Sequence, residues 1–191
     1  MSLKVFLVTT NQKKLLTAQN VLSDYKVNLE MMSLGYEAPE IQSFSVEEIA
    51  GFTAKYVSEK ENIPVLVTDV GYFIECLKGF PGPYIKQINS YLTSEDLLKL
   101  MHGQSNRKFT MKECLGFCVP GQEPVTFVTE STGVIAHVAK GEGSAIDRVM
   151  IREGMDKVQT QYSQEEMIEY YSKYLTHYNQ FGDYYNTNFR D

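Results

Sequence analysis

The chain has 191 residues, 43% hydrophobic and 22% charged, which fits an ordinary globular protein large enough for one sizeable domain. Its formal net charge of −6 argues against non-specific binding to nucleic acid or to an anionic membrane. No run approaches about 18 apolar residues and no basic segment precedes the first apolar run, so we expect no membrane span, no signal peptide and a cytoplasmic location. The three cysteines, Cys76, Cys114 and Cys118, form no disulfide framework and are expected to be buried thiols.

Apolar runs and helical patterns alternate through the first half of the chain. We predict strands over 3–9, 25–32 and 63–69, helices over 15–22 and 45–61, and a loop over 34–44. The helix over 45–61 opens with the capping-box sequence SVEE, in which Ser45 and Glu48 pair. The strand over 63–69 is apolar on both faces, which is typical of a central strand, and it is predicted to end at Asp69.

The second half begins with the turn sequence GFPGPY, followed by a short helix over 84–91 and another over 93–103 that Gly103 stops. The sequences KFTMKECLGFCVPG, EPVTFVTESTG and VIAHVAKG predict three long antiparallel strands between Lys108 and Val138. Ser163 and Glu166 form a second capping box, which opens a tyrosine-rich helix. The tail after Gly182 is polar and is predicted to fray. The order of elements predicts an α/β fold, with a mixed central sheet flanked by helices and two lobes with a cleft between them.

Two stretches combine polar side chains with the ends of predicted elements. TTNQKK, from Thr9 to Lys14, lies between a strand and a helix, where it could bind an anion or could simply hold an asparagine cap and solvated lysines. Asp69 follows a central strand, where a carboxylate could hold Mg²⁺, orient a water or only cap a turn. Glu40 is unremarkable alone, but close to Asp69 it would complete a site for a hard cation.

Three further features are weaker. Lys86, near the start of the short helix, could reach a phosphate or be solvated, and AKGEGSAIDR, 139–148, could wrap a ligand or be an ordinary loop. His102 and His137 are interpreted as structural. No serine-histidine-aspartate order and no cluster of histidines for a metal stands out.

Together these features resemble the inosine triphosphate pyrophosphatase family, enzymes that hydrolyse non-standard purine nucleoside triphosphates to monophosphate and pyrophosphate. The family's T-x-N-x-x-K motif matches VTTNQKKL, its Pro-Glu pair matches APEIQ, and its strand ending in an acid matches VLVTDVGYF. Its block L-x-G-x-P-G-P-Y-I-K matches LKGFPGPYIK, which is long and specific. The resemblance covers roughly residues 3 to 147 and implies a single domain of this family over 1–191.

The sequence departs from the family's pattern in several places. Thr68 stands where many members carry the first of two adjacent acids, and Thr53 stands where a helix lysine is expected. Of the motif F-G-[WY]-D-P only Asp147 is kept, because Ser144 and Ile146 replace the aromatic residues. The late S-H-R motif keeps His177 alone. Thr176 and Tyr178 take the other two positions, and Lys173 is one residue away from the expected lysine.

The resemblance implies a Mg²⁺-dependent nucleoside triphosphate pyrophosphatase that acts as a homodimer. Glu40 and Asp69 would hold Mg²⁺, and Asp69 would also orient or deprotonate the attacking water. The implied substrate-binding residues are Thr9, Asn11, Lys14 and Lys86 at the phosphates, and Asp147 and His177 near the base or ribose. The altered base-binding motifs leave two alternatives open: a non-catalytic nucleotide-binding protein on the same fold, or a pyrophosphatase for a different modified nucleotide.

Overall fold

The computed structural model describes residues 3–190 and shows an α/β fold. The strands are β1 Lys4–Val8, β2 Asn28–Met32, β3 Val65–Ile74, β4 Pro81–Gly82, β5 Lys108–Cys118, β6 Val125–Ile135 and β7 Met150–Arg152. The helices are α1 Gln12–Leu22, α2 Val46–Glu61, α3 Ile85–Tyr91, α4 Ser94–Leu100, α5 Gln164–Tyr174 and α6 Thr176–Phe189, with short 3₁₀ helices at Glu75–Leu77 and Gln159–Gln161. No helix within 3–190 is long and apolar enough to cross a membrane.

The strands form one mixed sheet in the order β2-β1-β3-β5-β6-β7, with β4 paired to β3. β1 runs parallel to β2 and to β3, whereas β4 pairs antiparallel with β3 and β7 antiparallel with β6. The predicted mixed sheet with flanking helices is therefore confirmed. The chain divides into two compact units: Met1–Asp69, Glu113–Thr129 and Ile168–Asp191 form the first, and Val70–Lys112 and Glu130–Met167 form the second. The single domain predicted over 1–191 stays a prediction.

The first unit buries apolar side chains on both faces of its strands. On one face, Leu66 of β3 and Leu115 of β5 pack with α1 and α6. On the other face, Val65 and Val67 of β3 pack with α2. Side chains alternate along a strand, so the two faces of β3 carry different polar residues where the apolar run ends.

Helix α2 has the predicted limits, although its predicted capping box is only half formed. The Ser45 hydroxyl accepts from the backbone N–H of Glu48 at 3.2 Å, but the Glu48 carboxylate accepts from the Ser43 hydroxyl instead of reaching back to Ser45. The second predicted box is complete, because Ser163 and Glu166 each accept a backbone N–H of the other. Capping therefore fixes where both helices begin.

The second unit has its own core, in which α3 and α4 pack against the later part of β3 and the first part of β5. The buried Ser94 hydroxyl of α4 donates to the Ala145 carbonyl at 2.9 Å, and Asn89 of α3 accepts from the Ile146 N–H at 3.3 Å. These two bonds tie the loop before β7 to the helices.

Several predicted boundaries are wrong. β3 does not end at Asp69 but continues to Ile74. Val70, Tyr72 and Phe73 favour an extended backbone, and a single acid does not end the strand. The predicted third strand, VIAHVAKG, supplies only its first two residues to the end of β6, and the real last strand is β7. The tail after Gly182 does not fray, since it forms the end of α6 and buries Tyr185 completely.

Gly116 in β5 lets α2 lie close to the sheet. A Cβ at this position would lie 2.6 Å from the Ala50 carbonyl carbon. We therefore expect Gly116→Ala to lower the free energy of unfolding by about 2 kcal/mol or more, since neither backbone can move freely in a packed core. Urea unfolding checks this. Gly35→Ala is the matched control, because a Cβ there meets nothing within 4 Å. Equal stability of the two variants would contradict the packing described here.

All three cysteines are free. Cys114 and Cys118 are buried as predicted, while Cys76 is only half-buried. Burial raises the pKa of the Cys114 thiol to about 12, with Glu47 and Asp69 adding to the effect. This thiol therefore stays protonated and unreactive at neutral pH.

Candidate active site

The junction between β1 and α1 forms a local hydrogen-bonded turn. The Asn11 side chain accepts from the Lys13 N–H at 2.9 Å and so caps α1, and the Thr9 hydroxyl accepts from the Asn11 N–H at 3.1 Å. Both bonds use acceptor atoms. The Asn11 amide N–H groups and the Thr9 hydroxyl hydrogen can therefore still donate to an anion at the start of the helix. The cap and the phosphate site, posed as alternatives by the sequence, are compatible.

Lys14 lies one turn into α1 and reaches β3. Its Nζ donates to the Thr68 hydroxyl at 2.6 Å. Burial lowers the pKa of Lys14, while the negative charges of Asp69 and Glu113 act against that lowering. Thr68 thus supplies a neutral acceptor where many family members have an acid, and the cation is left with two carboxylates as its electrostatic partners.

Asp69 and Thr68 point to opposite faces of β3. Thr68 follows the register of Leu66, towards α1, whereas Asp69 follows that of Val65 and Val67, towards α2. Asp69 is half-buried and influences both Lys14 and Cys114. Asp69 lies in the middle of β3, with paired strand on either side, and not at the strand end that the sequence indicated.

Glu113 of β5 was missed by the sequence reasoning. It follows the register of Leu115 and Phe117, so it lies on the same face of the sheet as Thr68 and Lys14. Its charge raises the pKa of Tyr178, although burial of that tyrosine is the larger cause. The only signal in the sequence is an acid directly before the apolar run CLGFC, inside a predicted strand.

His177 lies at the start of α6, where it is buried against β6. The Thr129 hydroxyl lies 2.8 Å from both the backbone nitrogen and the Nδ1 atom of His177, and 3.1 Å from the Thr176 hydroxyl. Burial lowers the pKa of His177 to about 3, so the ring is neutral at physiological pH. Its predicted place near a base or ribose stays a prediction, and there it would act as a neutral group.

This buried histidine predicts an acid-dependent loss of stability. The unfolded pKa is about 6.5 and the folded value about 3, so between these values the unfolded chain binds a proton that the folded chain does not. Well above pH 6.5 the histidine is neutral in both states and contributes nothing, and as the pH falls through this window the folded state loses stability. We expect a loss of about 2 kcal/mol from this residue between pH 7 and pH 5. Urea unfolding at both values should show a smaller loss for His177→Gln; an unchanged loss would contradict the assignment.

The remaining predicted residues fall in both units. Glu40 is exposed on the loop between β2 and α2, in the first unit. Lys86 is exposed in the first turn of α3 and Asp147 is half-buried in the loop before β7, both in the second unit. Within the first unit the structure brings Lys14, Thr68 and Asp69 together.

Comparison with known proteins identifies the family. The Ham1 family model matches residues 5–173, and the chain is 39% identical over 189 residues to the dITP/XTP pyrophosphatase of Methanopyrus kandleri, covering 97% of this chain and 98% of that protein. It is also 39% identical over 140 residues to the dITP/XTP pyrophosphatase of Methanosarcina mazei, covering 73% and 75%. The chain belongs to the Ham1 family, and the resemblance predicted from its motifs is confirmed.

A solved structure supports the same fold. The HAM1 protein from Coxiella burnetii superimposes with a TM-score of 0.79 at 18% identity, covering 97% of this chain and 99% of that chain. At this identity the similarity concerns the fold alone.

Proposed function

We propose that this protein is a nucleoside triphosphate pyrophosphatase that converts non-standard purine triphosphates, such as dITP and XTP, to monophosphate and pyrophosphate. The observation that carries the proposal is the arrangement around Lys14, where a partly buried cation is held by Thr68 beside Asp69. A cation and a carboxylate fixed on neighbouring rigid elements suit attack on a phosphorus atom. The names of the relatives support this reaction and this substrate class.

We infer that Mg²⁺ is the cofactor and that Asp69 and Glu40 would hold it. Carboxylates are hard oxygen ligands, and a protein typically binds Mg²⁺ through one or two of them, the substrate phosphates and water completing the shell. Within 3–190 no group of three histidine, cysteine or acidic side chains could hold a metal by itself. A site completed by the triphosphate does not need such a group, so these residues fit the ion. When bound, Mg²⁺ would withdraw charge from the phosphate oxygens.

The chain's own residues would perform the other tasks. Asp69 orients a water molecule and accepts its proton as the water oxygen attacks the α-phosphorus; the bond to the bridging oxygen breaks and pyrophosphate leaves. Lys14 and Lys86 neutralise charge on the phosphate oxygens as it develops. The Thr9 hydroxyl and the Asn11 amide donate hydrogen bonds to the same triphosphate. Asp147 and His177 contact the base or the ribose.

One observation favours a second candidate, a nucleotide-binding protein without turnover. Tyr178 and Ile146 replace family residues that contact the base, and both are buried, with 3% and 2% of their surface exposed. A lost aromatic stack removes roughly 1–3 kcal/mol of base binding at comparable sites. The base could therefore differ from hypoxanthine or xanthine. That difference fits a protein that binds nucleotides without turnover, and it equally fits a pyrophosphatase for another modified nucleotide.

We further propose a cytoplasmic homodimer, as the resemblance implies. Phe44 and Tyr91 are 80% and 84% exposed, and large apolar side chains in such positions are compatible with an interface. Light scattering after size exclusion tests the dimer directly.

The test of the function is pyrophosphate release with Mg²⁺ from ITP, XTP, dITP, the four standard nucleotides and modified nucleotides. Preferential release from non-standard purines is the expected result. Release only from a different nucleotide would favour a pyrophosphatase for another modified nucleotide. Binding of nucleotides without any release, at protein amounts that reveal slow turnover, would favour the non-catalytic protein.

A further inference from the structure

Asp147 belongs to a relay of hydrogen bonds within the second unit. The Gln159 side-chain nitrogen Nε2 donates to Oδ1 of Asp147 at 3.2 Å. The Gln159 oxygen Oε1 in turn accepts from Nε of Arg152 at 2.7 Å. Arg152 lies at the end of β7 with only 4% of its surface exposed. A buried cation is thus connected through one amide to a half-buried carboxylate.

The chemistry of arginine gives this relay a direction. A guanidinium group carries only donors and stays charged, so it can bind Gln159 only through the amide oxygen. The amide nitrogen is then turned towards Asp147, where it needs an acceptor. Arg152 therefore selects one of the two amide orientations of Gln159, and the amide holds one oxygen of the Asp147 carboxylate.

Both ends of the relay are fixed by close packing. Arg152 pairs with Gly133 of β6, where a Cβ would lie 2.5 Å from the Ile151 carbonyl oxygen and 2.6 Å from Cε1 of Phe109. On the other side, the Thr160 hydroxyl donates to the Lys140 carbonyl at 2.7 Å. Gly141 has a φ of +70°, and a Cβ there would lie 2.9 Å from Cβ of Thr160. The strand and the loop are therefore anchored independently of Gln159.

The loop end at Asp147 is held in other ways too. The Asp147 N–H donates to the Ser144 hydroxyl at 3.3 Å, and the Arg148 guanidinium donates to the Gly141 carbonyl at 3.0 Å. The backbone of the loop does not require the contact with Gln159. What Gln159 adds is the direction of the carboxylate, since Oδ1 is engaged and Oδ2 receives no hydrogen bond from any residue within 3–190.

We propose that Arg152 and Gln159 are positioning residues that aim the Asp147 carboxylate at the substrate, where it accepts a hydrogen bond from an N–H or O–H of the base or ribose. This rests on the proposed function, in which Asp147 contacts that part of the nucleotide. Gln159 and Arg152 act through Asp147 and do not touch the substrate. Removing either leaves the carboxylate present but free to rotate, so binding of the nucleoside part weakens while the phosphate chemistry continues.

A mutant cycle tests the proposal. Gln159→Leu is expected to raise KM for dITP about five- to tenfold with kcat within twofold, the loss of roughly one hydrogen bond. In the background of Asp147→Asn the same change should have little further effect, because its target is already altered. Arg152→Lys, which keeps a donor, should retain more of the affinity than Arg152→Met. The control is Gln161→Leu, the same substitution in the same 3₁₀ helix at an exposed side chain.

A second set of measurements distinguishes failure of the relay from failure of the proposed function. The affinity for deoxyinosine monophosphate is measured by calorimetry on the same variants, together with their melting temperatures. Weakening by Gln159→Leu that disappears in the Asp147→Asn background supports the relay, even if the wild type releases no pyrophosphate and the proposed function fails. Equal weakening in both backgrounds overturns the relay while turnover stands, as does a lower melting temperature with unchanged KM and affinity. If the wild type neither binds nor hydrolyses any nucleotide, both proposals are wrong.

Discussion

Asp69→Asn is expected to reduce pyrophosphate release roughly 10²- to 10⁴-fold, the range typical for loss of a general base. The amide keeps the shape of the side chain but cannot accept the proton of the attacking water, and it is a poorer ligand for Mg²⁺. It also removes a charge that opposes the lowering of the Lys14 pKa, so that lysine loses its proton more readily. Steady-state release from dITP across pH 6 to 10 measures both effects.

The matched control for this substitution is Asp183→Asn, at an exposed position of α6 in the same unit. It should retain wild-type turnover. If Asp69→Asn keeps more than half of the wild-type rate with a normal melting temperature, Asp69 is neither the base nor a ligand of the essential metal. The catalytic carboxylate would then have to be sought elsewhere, with Glu113 the first alternative because it also acts on Lys14.

Much of the fold could be predicted because local signals agreed with the tertiary structure. Helix α2 has both a serine cap and a helical apolar face, and its predicted limits were right. The strand β3 shows where such signals fail. An acid after an apolar run resembles a strand end, yet backbone pairing does not depend on the side chain, and β3 continues for five residues beyond Asp69.

Some glycines mark close packing and not a turn, so the sequence alone predicts strand and helix ends there wrongly. The predicted strand EPVTFVTESTG ends at Gly133, but this glycine lies inside β6, where Phe109 and the Ile151 backbone leave no room for a Cβ. Gly182 preceded a tail that was predicted to fray. It faces the Tyr25 ring instead, with a hypothetical Cβ at 2.6 Å from Cδ2, and α6 continues past it to bury Tyr185.

Some residues of the candidate site could be predicted from the sequence and others could not. Lys14 and Asp69 could be named from the sequence, because each belongs to a short motif that resembles the family. Glu113 and Gln159 could not be, because what matters about them is which neighbour they meet across the fold. No spacing in the sequence connects Gln159 with Arg152 and Asp147.

Lys14→Met is expected to lower kcat/KM for dITP by about 10²- to 10³-fold, the usual cost of removing one preorganised donor from a developing negative charge. Methionine keeps most of the apolar stem, so α1 should still pack against β3 and the melting temperature should change little. The control is Lys13→Met, at the adjacent, exposed lysine, which should leave turnover unchanged. A comparable loss in both variants would mean a general electrostatic effect and would contradict a specific role for Lys14.

The pH dependence distinguishes this role further. Because burial lowers the pKa of Lys14, its positive charge disappears at a lower pH than that of an ordinary lysine, and activity should decline on the alkaline side as the proton leaves. Lys14→Arg keeps a charge that does not titrate in this range, so whatever turnover it retains should persist to higher pH. Its bulkier fork does not reproduce the 2.6 Å bond to Thr68, so its maximal rate should remain below that of the wild type. An alkaline decline at the same pH in Lys14→Arg and the wild type would assign the titration to another group and refute the proposed phosphate contact of a charged Lys14.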